Sequence, residues 1–384
     1  MRLRVLIVDD SSAYRIILRR VLQEDPSIEV VGSAATGKQG LSMISELCPD
    51  LVTLDQEMPD LNGLEVLTQI MSLPTSKATR PKVLMLSSLT TAGAEFTLKA
   101  LKLGALDFIA KPAGEDQQAN FKILKAELLG KIKALNQPAS VVTPRNPIPP
   151  TLNTTALSSP SVLKVSDTKT SDASVYASAG LGVAQKIKSR SLSPRKFEAI
   201  AIGCSTGGPN ALSSILPQLC KQTELPIFIT QHMPPMFTKS LADSLGKICS
   251  HRVLEASAGL IVEAKTVYLA PGGFHMALSR LSGKIVIQIN SDEPENFCRP
   301  AVDVLFRSVA VVYGSSALAI ILTGMGSDGT KGLAEMKKKG ALALAQDEAS
   351  SIVWGMPGSA VGAGHIDQVL PLLEIPLAVK SLCL

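Results

Sequence analysis

The sequence predicts two α/β domains joined by a linker, and three observations support this organisation. The chain has 384 residues, whereas a single domain usually has roughly 100–200. Apolar runs alternate with helical patterns on both sides of residues 137–195, as in βα units around a parallel sheet. Residues 137–195 themselves contain 24 Pro, Ser or Thr among 59 residues, a composition typical of linkers. We therefore expect domains at 1–136 and 196–384.

The first domain shows five βα units. Such a series predicts a doubly wound, five-stranded parallel sheet, with ligands bound at the carboxyl ends of strands where the strand order reverses. The predicted strands are LRVLIV, IEVVGSA, DLVTLD, KVLMLSS and ALDFIA, and the helices are YRIILRRVLQ, GLSMISEL, LEVLTQIM, EFTLKALKLG and NFKILKAELLGKIKAL.

The second domain is also α/β. Its strand runs are almost continuously apolar, which favours a mostly parallel sheet covered on both faces. The predicted strands are EAIAIG, PIFITQH, TVYLA, KIVIQI, ALAIILTG and ALALAQ, and two clear helices are RPAVDVLFRSVAVVY and GTKGLAEMKKKG.

The positive charge is confined to the linker. Residues 137–195 carry 7 Lys or Arg and 2 Asp or Glu, whereas the flanking regions are balanced at 16 against 16 and 15 against 15. No basic domain face is therefore predicted, which argues against nucleic-acid binding and against a transcription factor with a helix-turn-helix output.

The chain shows no signal of export or membrane insertion. Its first residues, MRLRVLIVDDSS, suit a buried strand better than a signal peptide, and no apolar run of about 18 residues exists. The six cysteines form no C-x-x-C pair, as expected for reduced thiols in a cytoplasmic protein.

Polar residues end the strands of the first domain. Asp9 and Asp10 follow the first strand and Asp55 ends the third, so three carboxylates should converge and favour Mg²⁺. Ser87 and Lys111 end strands four and five. A hydroxyl, an ammonium and a metal around Asp55 suit a phosphoryl acceptor. The alternative for Asp10 alone is a helix N-cap.

This half resembles the receiver domain of two-component response regulators over about residues 1–125. The matching motifs are LIVDDS (6–11), LDQEMPDLNGLE (54–65), LSS (86–88) and IAKP (109–112). The resemblance implies a phospho-acceptor, Asp55; Mg²⁺ ligands, namely Asp10, Asp55 and the main-chain carbonyl of Glu57 with Asp9 in support; and switch residues, Ser87 and Lys111. Leu61 replaces a methionine common in relatives, a conservative change.

A glycine-rich turn follows the first strand of the second domain. Residues 203–207, Gly-Cys-Ser-Thr-Gly, fit G-x-S-x-G, a pattern that projects a serine hydroxyl from a strand-to-helix corner. The helix start offers free N–H groups to an oxyanion. Ser205 is therefore a candidate nucleophile. An anion or nucleotide site is the alternative for such a turn.

A nucleophilic serine needs a base and an orienting carboxylate. Among four histidines, His232 directly follows a strand, His275 has a similar context, and His251 and His365 have weaker ones. Asp328 follows the strand ALAIILTG in a glycine-rich loop, where a helix N-cap is its alternative role. We prefer His232, although the α/β-hydrolase order would select His365.

This half resembles the protein-glutamate methylesterases of the CheB family. The motifs AIGCSTGGP, QHMPP, APGGFH and LTGMGSDGTKG match in order. The resemblance implies Ser205, His232 and Asp328 as a catalytic triad, with Thr206 and the loop around Met325 contributing to oxyanion binding. Two departures are Cys204, where a smaller residue is usual, and a long linker.

Taken together, the resemblances imply a phosphorylation-activated serine hydrolase of sensory adaptation. It should convert glutamyl methyl esters on chemotaxis receptors to glutamate and methanol, and deamidate selected receptor glutamines. The phosphodonor should be a chemotaxis histidine kinase, with Mg²⁺ serving the receiver and no cofactor serving the esterase. A monomer is expected. The alternative is a response regulator with a non-catalytic docking output domain.

Overall fold

The computed structural model describes residues 2–74, 80–114, 116–136 and 193–383. Most of the predicted linker at 137–195 lies outside the described residues. No helix within the described ranges combines the length and apolar character needed to cross a bilayer.

The N-terminal half forms a parallel five-stranded sheet in the order β2-β1-β3-β4-β5, which confirms the predicted doubly wound fold. The order reverses at β1, so the ends of β1 and β3 lie side by side, with Val8 paired to Leu54. The strands are β1 (Leu3–Val8), β2 (Ile28–Ala34), β3 (Leu51–Asp55), β4 (Lys82–Ser88) and β5 (Asp107–Lys111). The helices are α1 (Ser12–Gln23), α2 (Gly37–Leu47), α3 (Gly63–Ser72), α4 (Thr91–Leu103) and α5 (Gln117–Asn136).

Local signals start and end these helices. The Ser11 side chain accepts a hydrogen bond from the Tyr14 N–H and caps α1, so Asp10 is not the N-cap. Asn62 and Glu65 form a reciprocal capping box at α3. Helix α4 ends at Gly104, whose φ of 113° favours glycine.

The C-terminal half contains a parallel seven-stranded sheet in the order β14-β13-β12-β6-β7-β9-β8. Its strands are β6 (Ala199–Cys204), β7 (Ile227–Gln231), β8 (Arg252–Glu255), β9 (Thr266–Leu269), β12 (Ala317–Ile321), β13 (Leu342–Gln346) and β14 (Gln368–Leu370). Its helices are α6 (Gly208–Gln222), α7 (Phe237–Gly246), α8 (Val302–Tyr313), α9 (Thr330–Lys338), α10 (Gly355–Gly362) and α11 (Ile375–Leu382). Two short 3₁₀ helices span Gly314–Ser316 and Leu372–Glu374.

The predicted strand KIVIQI does not join this sheet. It forms β11 (Lys284–Asn290) and pairs antiparallel with β10 (His275–Leu281) in a separate hairpin. The turn residues Ser282 and Gly283 have φ values of 50° and 78°, the left-handed pair that a two-residue hairpin turn requires. The motif Ser-Gly between two alternating runs was the signal for this hairpin.

The two halves share apolar packing. One continuous buried cluster includes Leu98 and Phe108 from the N-terminal half and Phe237 and Leu241 from the C-terminal half. The rings of Phe108 and Phe237 stack with centroids 4.7 Å apart and planes 6° apart. Helices α4 and α7 pack against each other beside this stack. The described residues therefore form one compact unit.

Candidate active site and acidic pocket

The three candidate catalytic residues lie at the carboxyl ends of neighbouring strands. Ser205 follows β6, His232 follows β7 and Asp328 lies between β12 and α9, and β12, β6 and β7 are adjacent in the sheet. Because parallel strands end at the same edge, the topology gathers the three loops there.

The turn after β6 requires small residues. Gly207 has a φ of 78°, in the left-handed region, and a Cβ on Gly324 would lie 2.9 Å from Cβ of Ser205. The Ser205 N–H donates to the carbonyl of Thr323 at 3.0 Å. Helix α6 begins at Gly208, and the first N–H groups of a helix have no intrahelical acceptor. The motif thus places Ser205 at a helix start.

His232 and Asp328 form a direct pair. The Nε2 atom of His232 donates to Oδ2 of Asp328 at 2.7 Å. Burial lowers the pKa of His232, but Asp328 and Cys298 outweigh this effect and raise it to about 10. The pair therefore stabilises an imidazolium, the form that a histidine takes after accepting a proton.

The Asp328 carboxylate is buried and fully engaged. It accepts hydrogen bonds from the N–H groups of Val302, Asp303 and Gly329 at 2.6, 3.0 and 2.9 Å, and from Nδ2 of Asn296 at 2.9 Å. Burial alone would raise its pKa, but His232 and the backbone donors lower it. The carboxylate is thus held ionised at the start of α8, rather than acting as a side-chain cap of α9.

The second nitrogen of His232 faces a residue that the sequence prediction did not include. The Sγ atom of Cys298 lies 3.5 Å from Nδ1 of His232. Within the described residues, the Ser205 hydroxyl makes no hydrogen bond, and Cys298 rather than Ser205 is the hydrogen-bond neighbour of Nδ1. No sequence motif marks Cys298. Only the folded loop before α8 brings it to the site.

The loop that carries Cys298 is unusual in its backbone. Asn296 and Phe297 have φ values of 53° and 63°, a conformation that costs non-glycine residues free energy and often occurs at functional sites. The turn directs the Asn296 amide to Asp328. It also leaves the Phe297 side chain fully exposed next to Cys298.

The remaining histidines lie elsewhere. His275 is buried, and its ring contacts the Glu293 carbonyl and the Ala301 N–H at 3.1 Å each, which indicates a structural role. Within the described residues, Asp328 makes no hydrogen bond to His365 or His251. For both of these histidines, burial lowers the pKa first, and nearby lysines lower it further.

The two residues predicted to help bind an oxyanion differ in position. Thr206 is buried, and its carbonyl accepts a hydrogen bond from Oγ1 of Thr323 at 2.9 Å. Met325 is exposed. Its side chain lies beside α5 of the N-terminal half, since a Cβ on Gly130 would be 3.2 Å from Cε of Met325. Met325 therefore contributes to the contact between the halves.

Four of the residues predicted for the acidic pocket of the N-terminal half lie together, namely Asp9, Asp10, Asp55 and Lys111. Ligand oxygens of Asp9, Asp10 and Asp55 lie within 4.8 Å of one another. Nζ of Lys111 is 2.9 Å from Asp9 and 2.7 Å from Asp55. Burial raises the pKa of Asp55 to about 6 although Lys111 opposes this rise. This oxygen set and its excess negative charge fit a hard divalent cation.

The other predicted pocket residues point differently. The Ser87 hydroxyl lies 2.9 Å from Oε1 of Gln56 and 3.1 Å from the Gly93 carbonyl, so it does not contact Asp55 in this state. Glu57 is exposed. Gln56, whose N–H donates to Asp55 at 2.8 Å, is a neighbour that the sequence prediction did not single out.

The fold and the two sites define a class of protein: a response regulator whose output domain has the groups of a hydrolase. Residues 5–120 match the response regulator receiver domain, and residues 200–379 match the CheB methylesterase family.

The similar proteins cover nearly the whole chain. A protein-glutamate methylesterase/protein-glutamine glutaminase of Desulfotalea psychrophila is 44% identical, with 97% of this chain and 96% of that protein aligned. A second protein of that name, from Thermotoga maritima, is 40% identical over 97% of this chain and 96% of its own length. The crystal structure of a Thermotoga maritima CheB methylesterase catalytic domain is 42% identical and covers 49% of this chain and 100% of its own, with a TM-score of 0.48. The chain belongs to the CheB methylesterase family.

Proposed function

We propose that this chain is a phosphorylation-activated protein-glutamate methylesterase of chemotactic adaptation. Its substrates would be glutamyl methyl esters on chemotaxis receptors, and it would also deamidate specific receptor glutamines. The names of its relatives support this activity. The observation that carries the mechanism is the His232–Asp328 hydrogen bond, at the same sheet edge as the Ser205 turn.

The contacts of His232 decide which nitrogen acts as the base. Because Nε2 is bonded to Asp328, the proton of Ser205 must pass to Nδ1. Cys298 now lies at that nitrogen, so the serine hydroxyl has to replace the thiol there before reaction. Catalytic hydrogen bonds often tighten only when substrate binds.

The chemical steps then follow those of a serine hydrolase. Ser205 Oγ attacks the ester carbonyl while Nδ1 of His232 takes its proton, and N–H groups at the start of α6 stabilise the oxyanion. The imidazolium returns the proton to methanol, which leaves. Water, activated by the same nitrogen, releases glutamate from the acyl-enzyme. A glutamine side chain would follow the same route and lose ammonia.

A comparison of two nucleophile variants tests this assignment. Methanol release from methylated receptor should fall to near background in Ser205→Ala and persist in Cys298→Ala, because the serine, not the thiol, forms the acyl-enzyme. Phosphorylation of both variants from a phosphodonor provides the control for folding. The opposite ranking would make Cys298 the nucleophile. Activity retained in both variants would show that neither residue is the nucleophile. If neither the wild type nor the variants release methanol, the protein is instead a response regulator with a non-catalytic docking output domain.

Packing between the two halves supplies a regulatory contact. Phe108 lies on β5 three residues before Lys111, and Phe237 starts α7 five residues after His232. Their stack connects the acidic pocket to the loop of the candidate base. We interpret this arrangement as the inhibited state, in which the receiver restricts the esterase face.

Phosphorylation would act on this contact through the pocket. A phosphoryl group on Asp55 adds charge and acceptor oxygens that Lys111 and the Ser87 hydroxyl can bind. Ser87 would then leave Gln56 and the Gly93 carbonyl, its partners here. Since Gly93 is in α4, which packs on α7, this rearrangement would weaken docking.

The acidic pocket is the proposed site of Mg²⁺. Asp10, Asp55 and the Glu57 carbonyl would hold the ion, with Asp9 in support. When bound, the ion offsets the negative charge of the incoming phosphoryl group. A chemotaxis histidine kinase would supply that group.

Several features expected from the sequence also stay part of the proposal. These are the domain boundaries at 136 and 196, a monomeric state and a cytoplasmic location.

A further inference from the structure

Cys298 makes a contact that the proposed reaction does not use. Its Sγ atom lies 3.5 Å from Nδ1 of His232, and both side chains are partly exposed, that of His232 by 12%. A thiol and an imidazole nitrogen side by side are the two ligand types that Zn²⁺ prefers in proteins.

The separation of the two atoms fits a zinc ion. For a Zn–S bond of about 2.3 Å, a Zn–N bond of about 2.05 Å and a tetrahedral angle, the two ligand atoms lie about 3.5 Å apart. This value equals the observed distance between Sγ and Nδ1. Cys298 and His232 could therefore bind the ion without moving relative to each other.

The surroundings of His232 also match those of zinc-bound histidines. Such histidines usually donate their second ring N–H to a carboxylate, which fixes the ring and the tautomer. Here Nε2 donates to Asp328 at 2.7 Å, and Asp328 is itself held by the N–H groups of Val302 and Asp303. Nδ1 is thus already oriented toward Cys298.

We propose that a thiophilic divalent cation, Zn²⁺, binds Nδ1 of His232 and the thiolate of Cys298 and inhibits the enzyme. Binding releases the thiol proton, together with the Nδ1 proton of the imidazolium, to solvent, and water completes the coordination. With the lone pair of Nδ1 bound to the metal, the histidine has no site for the proton of Ser205. The inhibition rests on the proposed function, whereas the binding does not.

The binding test uses Co²⁺ as a spectroscopic substitute for Zn²⁺ on the full chain, with excess Mg²⁺ to occupy the acidic pocket. Wild type should show a thiolate-to-cobalt charge-transfer band that Zn²⁺ removes. Cys298→Ser should lose the band. Cys48→Ser should keep it, because Cys48 is an exposed cysteine of the N-terminal half. A band that persists in Cys298→Ser, or that never forms in wild type, would overturn the proposed site.

The activity test measures methanol release by the full chain, again with excess Mg²⁺ and now with increasing Zn²⁺. Zn²⁺ should inhibit wild type and Cys48→Ser reversibly, with recovery on chelation. In Cys298→Ser, half-inhibition should need at least about tenfold more Zn²⁺, as loss of metal-site groups commonly weakens binding by 10–100-fold. Equal inhibition of all three proteins would refute inhibition through Cys298. Metal binding without any methanol release would refute the proposed function and leave the metal site intact.

Discussion

Truncation of Phe108 tests whether the aromatic stack holds the esterase in its inhibited state. Phe108 is 3% exposed, and its ring contacts Phe237 across the two halves at 4.7 Å. Replacing a buried phenylalanine by alanine costs about 3–5 kcal/mol. Because Phe108 also packs on its own sheet, we assign about 1–1.4 kcal/mol to the stack, within the range of about 0.5–1.5 kcal/mol for aromatic pairs.

This free energy sets the size of the expected effect. Since 1.4 kcal/mol is about a factor of ten, Phe108→Ala should shift the ratio of docked to undocked enzyme by about five- to tenfold. The assay is the initial rate of methanol release by the unphosphorylated full chain. That rate should rise by up to this factor, whereas the fully phosphorylated rate should change little.

Phe121→Ala is the matched control. Phe121 lies on α5 and contacts Arg20 within the N-terminal half, so its loss should leave the unphosphorylated rate unchanged. Circular dichroism of both variants confirms folding. An unchanged rate in folded Phe108→Ala would refute the role of the stack, and an equal rise in Phe121→Ala would attribute the effect to a loosened receiver.

Three further substitutions probe the candidate base, the phospho-acceptor and the exposed loop beside the active site. His232→Gln should lower methanol release by about a thousandfold or more and His365→Gln should stay near wild type, since His232 is the one histidine of the described residues that bonds Asp328; the reverse ranking would require another triad. Asp55→Ala should keep the unphosphorylated rate and abolish activation by a phosphodonor with Mg²⁺, so activation that survives would place the acceptor elsewhere. Phe297 is fully exposed next to Cys298, where a bound receptor could bury its ring, a burial that contributes about 1.5–3 kcal/mol; Phe297→Ala should then raise KM for intact receptor by at least about tenfold without changing turnover of a small ester, and a change in both would indicate a damaged active site.

The sequence alone predicts the features that depend on local patterns, namely the buried strands and the residues at their ends. Parallel strands buried on both faces have continuous apolar runs, such as those at 199–204 and 342–346, and these became β6 and β13. The strand-end positions of Asp55 and Lys111 then followed from strand order, and the structure brings them within 2.7 Å. His232 and Asp328, predicted to act together, lie 2.7 Å apart, and their catalytic roles stay a prediction.

Other features depend on contacts that no local pattern records. Cys298 reaches His232 because the loop at Asn296 and Phe297 adopts left-handed backbone angles, and sequence spacing does not report such a turn. The Phe108–Phe237 stack joins residues 129 positions apart in the chain. The hairpin β10–β11 was missed because KIVIQI was grouped with the parallel strands, although its alternation and the Ser282–Gly283 turn are typical of a hairpin.

The residue that carries the acyl group during turnover can be identified directly. Enzyme reacting with a glutamyl methyl ester peptide is quenched in acid, digested and analysed by mass spectrometry, with and without phosphodonor. We predict an acyl adduct on the peptide that contains Ser205, formed faster when Asp55 is phosphorylated. An adduct on the peptide that contains Cys298 instead, or formation at the same rate with and without phosphorylation, would contradict this prediction.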